Sequence, residues 1–325
     1  MQSMFFRRSA GPILAVTLAL AMAACGSSSK SSSSKSSGSS SSATSAAPAK
    51  SGPGVGKPPV TLGDKNFAEE YILGALYQQA LAAKGYTVTL KGNIGSSEII
   101  WKALSSGQID IYPEYTGTLL TTIAGNTRPP SSAKQTYALA QAYVKKHGFT
   151  LLAQTPFYDS DALTTTKPFA SKSNLKSISD LKKLGPSLKL GGPPENRTRF
   201  NGLVGLRQLY GLNPTFVPLA IGITYQALDR GQVQVVTAFT TDPQLTTGKY
   251  TVLADPKRVF GFQNVAPVVK QSLVKAEGPA FVQTINKVSK LLTIPAVQKM
   301  NAAVSLEQQS PAAVAHQFLA ANGLT

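Results

Sequence analysis

A stretch of the chain recurs within itself. Ala103-Leu-Ser-Ser-Gly-Gln-Ile-Asp-Ile-Tyr-Pro-Glu-Tyr-Thr-Gly-Thr118 aligns without a gap on Ala227-Leu-Asp-Arg-Gly-Gln-Val-Gln-Val-Val-Thr-Ala-Phe-Thr-Thr-Asp242. Both copies read as a helix end, a glycine stop, a short β-branched strand and an aromatic at its C-terminal end. Tyr115 falls on Phe239 and Thr116 on Thr240. A duplicated helix–Gly–strand unit implies two similar α/β lobes, and the C-terminal ends of sheet strands are where α/β sheets bind ligands.

The surrounding pattern agrees. Val60-Thr61-Leu62 reads as a strand, and Asn66 with Glu69 three residues on has capping-box form. The helix it opens carries Ile72, Leu73, Leu76 and Leu81 and ends near Lys84-Gly85. Tyr86 to Leu90 alternates as a strand. Ser96 or Ser97 opens a second helix with Ile99, Ile100, Ala103 and Leu104, and Ile109-Asp110-Ile111 is the next strand. Strands alternating with helices at this spacing predict a parallel α/β sheet. Thr155-Pro156-Phe157 and Val265-Ala266-Pro267 are the expected hinge segments. The expected architecture is α/β and two-lobed, with residues 58–157 plus 267–325 in lobe 1, residues 158–266 in lobe 2, and a cleft between them.

The first sixty residues are of another kind. Arg7-Arg8, the apolar run Gly11 to Leu20 and the small Ala23-Ala24 before Cys25 form the three parts of an export signal over residues 1–25. Met22-Ala23-Ala24-Cys25 resembles the lipobox of bacterial lipoproteins, which implies acylation of Cys25 and a membrane anchor on the extracytoplasmic face. Residues 26–57 are serine-rich with scattered lysines and read as a disordered tether.

Every acidic residue lies at or beyond Asp64, and six basic residues lie before it. Setting those six aside from the net +17 leaves +11 for residues 61–325. The export signal and the absence of an arginine-rich aromatic block argue against nucleic acid, leaving a solvated surface beside an anionic membrane. Cys25 is the only cysteine, so internal disulfides are excluded, and with two histidines no metal or cofactor site is expected. No nucleophile elbow or phosphate loop occurs, and Glu69-Glu70 read as an exposed helix start. The chain therefore reads as a binding protein and not an enzyme, with a lipid-anchored hydrolase or a sensor on the same fold as alternatives.

Three motifs, Gly63-Asp-Lys-Asn-Phe-Ala-Glu69, Ile94-Gly-Ser-Ser-Glu98 and Gln108-Ile-Asp-Ile-Tyr-Pro-Glu-Tyr-Thr-Gly-Thr118, resemble the substrate-binding proteins of osmoprotectant ABC importers. Arg199-Phe-Asn-Gly202, Thr237 to Asp242 and Asn264-Val-Ala-Pro267 continue the likeness. The resemblance implies a type II periplasmic-binding-protein-like fold and a monomer that hands a small quaternary amine (glycine betaine, choline or carnitine) to ABC permease subunits. It implies Tyr115 as a cage aromatic and Lys65, Thr118 and Arg199 as carboxylate-facing residues. The chain departs from the family at Asp161 and Gln263, where tyrosines are usual, and Phe239 keeps a ring. Asp161 is then expected to pair with a cationic group and Gln263 to hydrogen-bond the ligand. Lys65 reads equally as a solvated loop lysine, Arg199 as a partner of Glu195, and Tyr115 as a packing residue.

Overall fold

Ten short strands form two five-stranded sheets, and the chain crosses twice between them. In this computed structural model residues 51–325 are described; the expected signal, Cys25 and residues 26–50 of the tether lie outside them. Residues 51–57 are not a tether. Gly54 donates its N–H to the Lys84 carbonyl at 2.9 Å and Lys57 Nζ donates to the Ala276 carbonyl at 2.9 Å, tying this turn to the folded body. No helix among the described residues is long and apolar enough to cross a membrane.

The strands are β1 (Val60–Gly63), β2 (Val88–Lys91), β3 (Ile111–Tyr115), β4 (Phe149–Leu151), β5 (Asp161–Thr166), β6 (Lys189–Gly192), β7 (Thr215–Pro218), β8 (Val235–Phe239), β9 (Tyr250–Val252) and β10 (Val265–Lys270). The sheet orders are β2-β1-β3-β10-β4 and β7-β6-β8-β5-β9. Both follow one plan: three parallel strands, then an antiparallel strand supplied by the crossing chain, then an antiparallel edge. The internal recurrence is therefore structural. Its helices end at Ser105 and Asp229, its strands are β3 and β8, and all four positions correspond residue for residue. Gly107 (φ 82°) and Gly231 (φ 67°) make the turn between helix and strand in the left-handed region that only glycine adopts without strain.

Side chains alternate across the central strands because the strand period is two. In lobe 1, Ile111, Tyr115, Val265 and Val269 face one core with α1 (Ala68–Ala82) and the C-terminal helices. Tyr112, Ala266 and Val268 face the other, with Ile100, Leu104 and Val144. Covered on both faces, β3 is buried throughout, which explains its apolar run. Helix α1 is held between its sheet and the three C-terminal helices, so buried residues spread round much of its circumference. Lobe 2 packs around Leu163, Leu190, Val235 and Tyr210.

Three expectations shift. The strand expected at 109–111 runs Ile111–Tyr115, and that expected at 86–90 runs Val88–Lys91. Val265-Ala266-Pro267 is not a hinge: it opens β10 and pairs with Tyr115, Glu114 and Pro113 inside the lobe 1 sheet. One crossing lies between β4 and β5, the other just before Val265. Asn264 Nδ2 donates to the carbonyls of Thr155 and Phe157, at 3.1 and 3.0 Å, and Asp159 N–H donates to the Gln263 carbonyl, so the two crossing segments are stitched together.

Candidate functional site

Tyr115 and Phe239, the last residues of β3 and β8, border one pocket between the sheets. This narrow pocket is lined from lobe 1 by Lys65, Phe67, Ser97, Tyr115 and Thr118 and from lobe 2 by Asp161, Glu195, Arg199 and Phe239. A neighbouring, roomier chamber of about 340 Å³ shares Phe67, Asp159 and Phe239 and is lined further by Glu69, Tyr225, Asp242 and Asn301.

Phe67, at the N-terminus of α1, lies between the two aromatics that the recurrence singles out. Its ring stacks on Tyr115 (centroids 6.1 Å, 29°) and on Phe239 (5.7 Å, 7°). The three rings form one row spanning the cleft. Phe67 stood within a motif but carried no sequence signal for a role, since a lone phenylalanine at a helix start reads as packing.

Lys65 lies against the Tyr115 end of this row. Its ammonium lies 4.3 Å from the Tyr115 ring centroid, 2.6 Å from Glu114 Oε1 and 3.6 Å from Glu70 Oε1. It is buried and ion-paired, which rules out the solvated-loop alternative. Burial pushes the Glu70 carboxyl up to about 8 against the pull of Lys65.

Glu69 and Glu70 are buried, not at an exposed helix start as the sequence suggested. The N-cap is Phe67, whose side chain makes no capping hydrogen bond, so the capping box expected from Asn66 and Glu69 does not form. Glu69 instead accepts from Tyr115 Oη (2.7 Å), Thr241 Oγ1 (2.6 Å) and Asn301 Nδ2 (2.8 Å), joining the ends of β3 and β8 to the helix Ile294–Ser305. Burial raises its pKa above the ordinary value despite these donors.

Arg199 does not pair with Glu195. Its Nε and Nη2 donate to Glu98 Oε1 and Oε2 at 2.9 and 2.6 Å, a forked bridge from lobe 2 to α2 (Ser97–Ser105) of lobe 1. Burial alone would raise Glu98, but the hydrogen bonds and charge of Arg199 hold it at about 2. Asp161 opens β5 and accepts from Asn201 Nδ2 at 2.8 Å, and burial lifts it to about 6. Asp159 accepts the Thr241 N–H at 3.0 Å and is raised by burial and by nearby Glu69. Gln263 does not line the pocket. It is buried in the crossing segment, where its Oε1 accepts the N–H of Thr118 at 2.9 Å and its Nε2 donates to the Phe260 carbonyl. Its role is to hold the turn that presents Thr118. Six of the seven sequence-derived candidates thus meet in one pocket, and Gln263 stands behind it.

Comparison with known proteins decides the family. The family model described as the substrate binding domain of ABC-type glycine betaine transport systems matches residues 58–321. The chain belongs to this family. It is 32% identical over 270 residues to the glycine-betaine-binding protein of Pseudomonas aeruginosa, covering 79% of this chain and 86% of that protein. It is 24% identical to the carnitine transport binding protein OpuCC of Listeria monocytogenes, over 83% of this chain and 90% of the relative. A solved structure titled glycine betaine/carnitine/choline ABC transporter superposes with a TM-score of 0.65 at 27% identity, covering 82% of this chain and 99% of the other. The chain is a two-lobed substrate-binding protein with the fold of periplasmic solute-binding proteins, its pocket at the strand ends where the ring row lies.

Proposed function

We propose that the chain is the lipid-anchored solute receptor of an ABC importer and captures a small quaternary ammonium compound by closing its two lobes on it. One observation carries this reading: Tyr115, Phe67 and Phe239 bring rings from both lobes into a pocket that also holds the carboxylates of Asp159 and Asp161. A methylated ammonium cannot donate strong hydrogen bonds, so ring faces and nearby negative charge are what hold it, each well-placed ring contributing about 0.5–2 kcal/mol. A ligand touching both lobes favours the closed form, the form a permease recognises. Nothing in this mechanism requires a covalent step, and the receptor acts as a monomer. Lys65, Thr118 and Arg199 border the ligand's polar end.

Calorimetry with choline, glycine betaine and carnitine tests the reading. Binding of at least one in the micromolar range or tighter is expected; failure of all three defeats it. Asp161 adds a pH signature. Its folded pKa of about 6 lies above the ordinary carboxylate value, so its protonated form favours the empty fold. That stabilising contribution is present below about pH 4 and is lost as pH rises through about 6. A bound cation needs the ionised form, so choline affinity is expected to rise about tenfold from pH 5 to pH 7.5. Choline itself does not titrate there. Asp161→Asn should flatten the profile, and an unchanged slope in that variant would remove Asp161 from the site.

The anchor has its own test. Cys25→Ser should move the protein from the membrane fraction to the soluble extracytoplasmic fraction, and retention at the membrane would discard acylation of Cys25.

A further inference from the structure

A ligand of this class has two ends, and the charges around the pocket discriminate between kinds of second end. A zwitterion brings a carboxylate, which needs an uncommitted cation to replace its water. The pocket is lined by two basic residues, Lys65 and Arg199, and both are taken. Lys65 is held by Glu114 at 2.6 Å, with Glu70 at 3.6 Å. Arg199 is held through both arms of its fork by Glu98. Against them stand Asp161 and Glu195, which line the same pocket and have no ion-pair partner among the described residues, beside Asp159, whose neutral form burial favours. A ligand carboxylate would have to detach Glu98 from Arg199 and then lie among these acids.

Glu98 is also placed where such a carboxylate would act. It reaches from lobe 1 to Arg199 of lobe 2, making the lobe-bridging ion pair that a zwitterion's negative end would otherwise make. The pull of Arg199 keeps it ionised down to about pH 2, so the pair is present at every physiological pH.

We propose that Glu98 is a specificity-determining residue: by occupying Arg199 it selects a quaternary ammonium with a neutral polar end, of the choline kind, over a carboxylate-bearing zwitterion of the betaine kind. This rests on the reading that the cleft takes a quaternary ammonium. The neutral end meets hydroxyl and amide groups that line the pocket beside the ion pairs, those of Ser97, Thr118 and Asn196.

The test compares choline, glycine betaine and the amide of glycine betaine, which keeps the betaine shape and removes its charge, by calorimetry on the purified full-length protein. The wild type is expected to bind choline and the amide at least tenfold more tightly than glycine betaine. Glu98→Ala leaves a largely buried Arg199 without its anion and should shift the betaine-to-amide affinity ratio at least tenfold toward betaine. Wild-type preference for betaine over its amide, or a ratio unmoved by Glu98→Ala, overturns the proposal while leaving the quaternary-ammonium reading intact. Loss of all three ligands from the wild type overturns that reading and the proposal with it. The wild-type comparison depends on no variant, and Glu98 is part-exposed at 41% of its side chain, so its truncation leaves the core untouched.

Discussion

Replacing Lys65 by methionine is expected to lower the unfolding free energy by about 3–5 kcal/mol, the cost of leaving a buried charge without its partner. Glu114 and Glu70 are both fully enclosed; burial favours the neutral form of Glu70, so Lys65 is the counter-ion of Glu114. The Glu114 carboxylate also accepts the Tyr115 N–H at 2.7 Å and the Tyr112 hydroxyl at 3.2 Å, so its displacement would disturb the strand that carries the Tyr115 ring. Adding Glu114→Gln to Lys65→Met removes the stranded charge while keeping an oxygen to accept the Tyr115 N–H and an NH2 that can donate to the Tyr112 hydroxyl, and should recover a large part of the loss. Urea unfolding of the ligand-free protein measures both. A Lys65→Met variant as stable as the wild type would mean that the ammonium contributes nothing to the fold and serves only the ligand.

Tyr115→Ala should weaken ligand binding at least tenfold, about 1.4 kcal/mol, and up to roughly thirtyfold if the ring is worth the upper range of an ammonium–aromatic contact. The same substitution also removes the hydroxyl that donates to Glu69 at 2.7 Å, and this is a structural loss distinct from the ring. Tyr115→Phe separates the two, keeping the ring and deleting only the donor. It should retain most of the affinity while lowering the melting temperature, since Glu69 keeps only its bonds to Thr241 and Asn301. Equal affinity in wild type and Tyr115→Ala, with the variant folded, would move the ligand away from the ring row.

Periodicity and recurrence carried much of the architecture. The copy that joins Ala103–Thr118 to Ala227–Asp242 maps onto the same helix end, glycine turn and central strand in each lobe, because those are local features written in adjacent residues. The crossing point was placed only to within a few residues. Val265-Ala266-Pro267 has the look of a linker, and only pairing with β3 makes it a strand. Residues 51–57 carry no burial pattern of their own and are ordered by the distant backbone of Lys84 and Ala276.

The site divides in the same way. Residue types at motif positions brought Lys65, Tyr115, Thr118, Asp161, Arg199 and Phe239 to one pocket, since strand ends and helix starts follow from local pattern. Which charge faces which partner does not. Arg199 and Glu98 lie far apart in the chain, as do Glu69 and Asn301, and acids at a helix start look alike in sequence whether solvated or buried. The sequence by itself determined two like α/β lobes, an aromatic at the end of each duplicated strand and a chemistry suited to a small cation. Only the tertiary structure decided that Phe67 completes the ring row, that Gln263 supports the site from behind, and that both cations are already neutralised. The physical reason is range. Backbone geometry is set by neighbours a few residues away, whereas the pairing of buried charges is set by whatever the folded chain brings within about 4 Å.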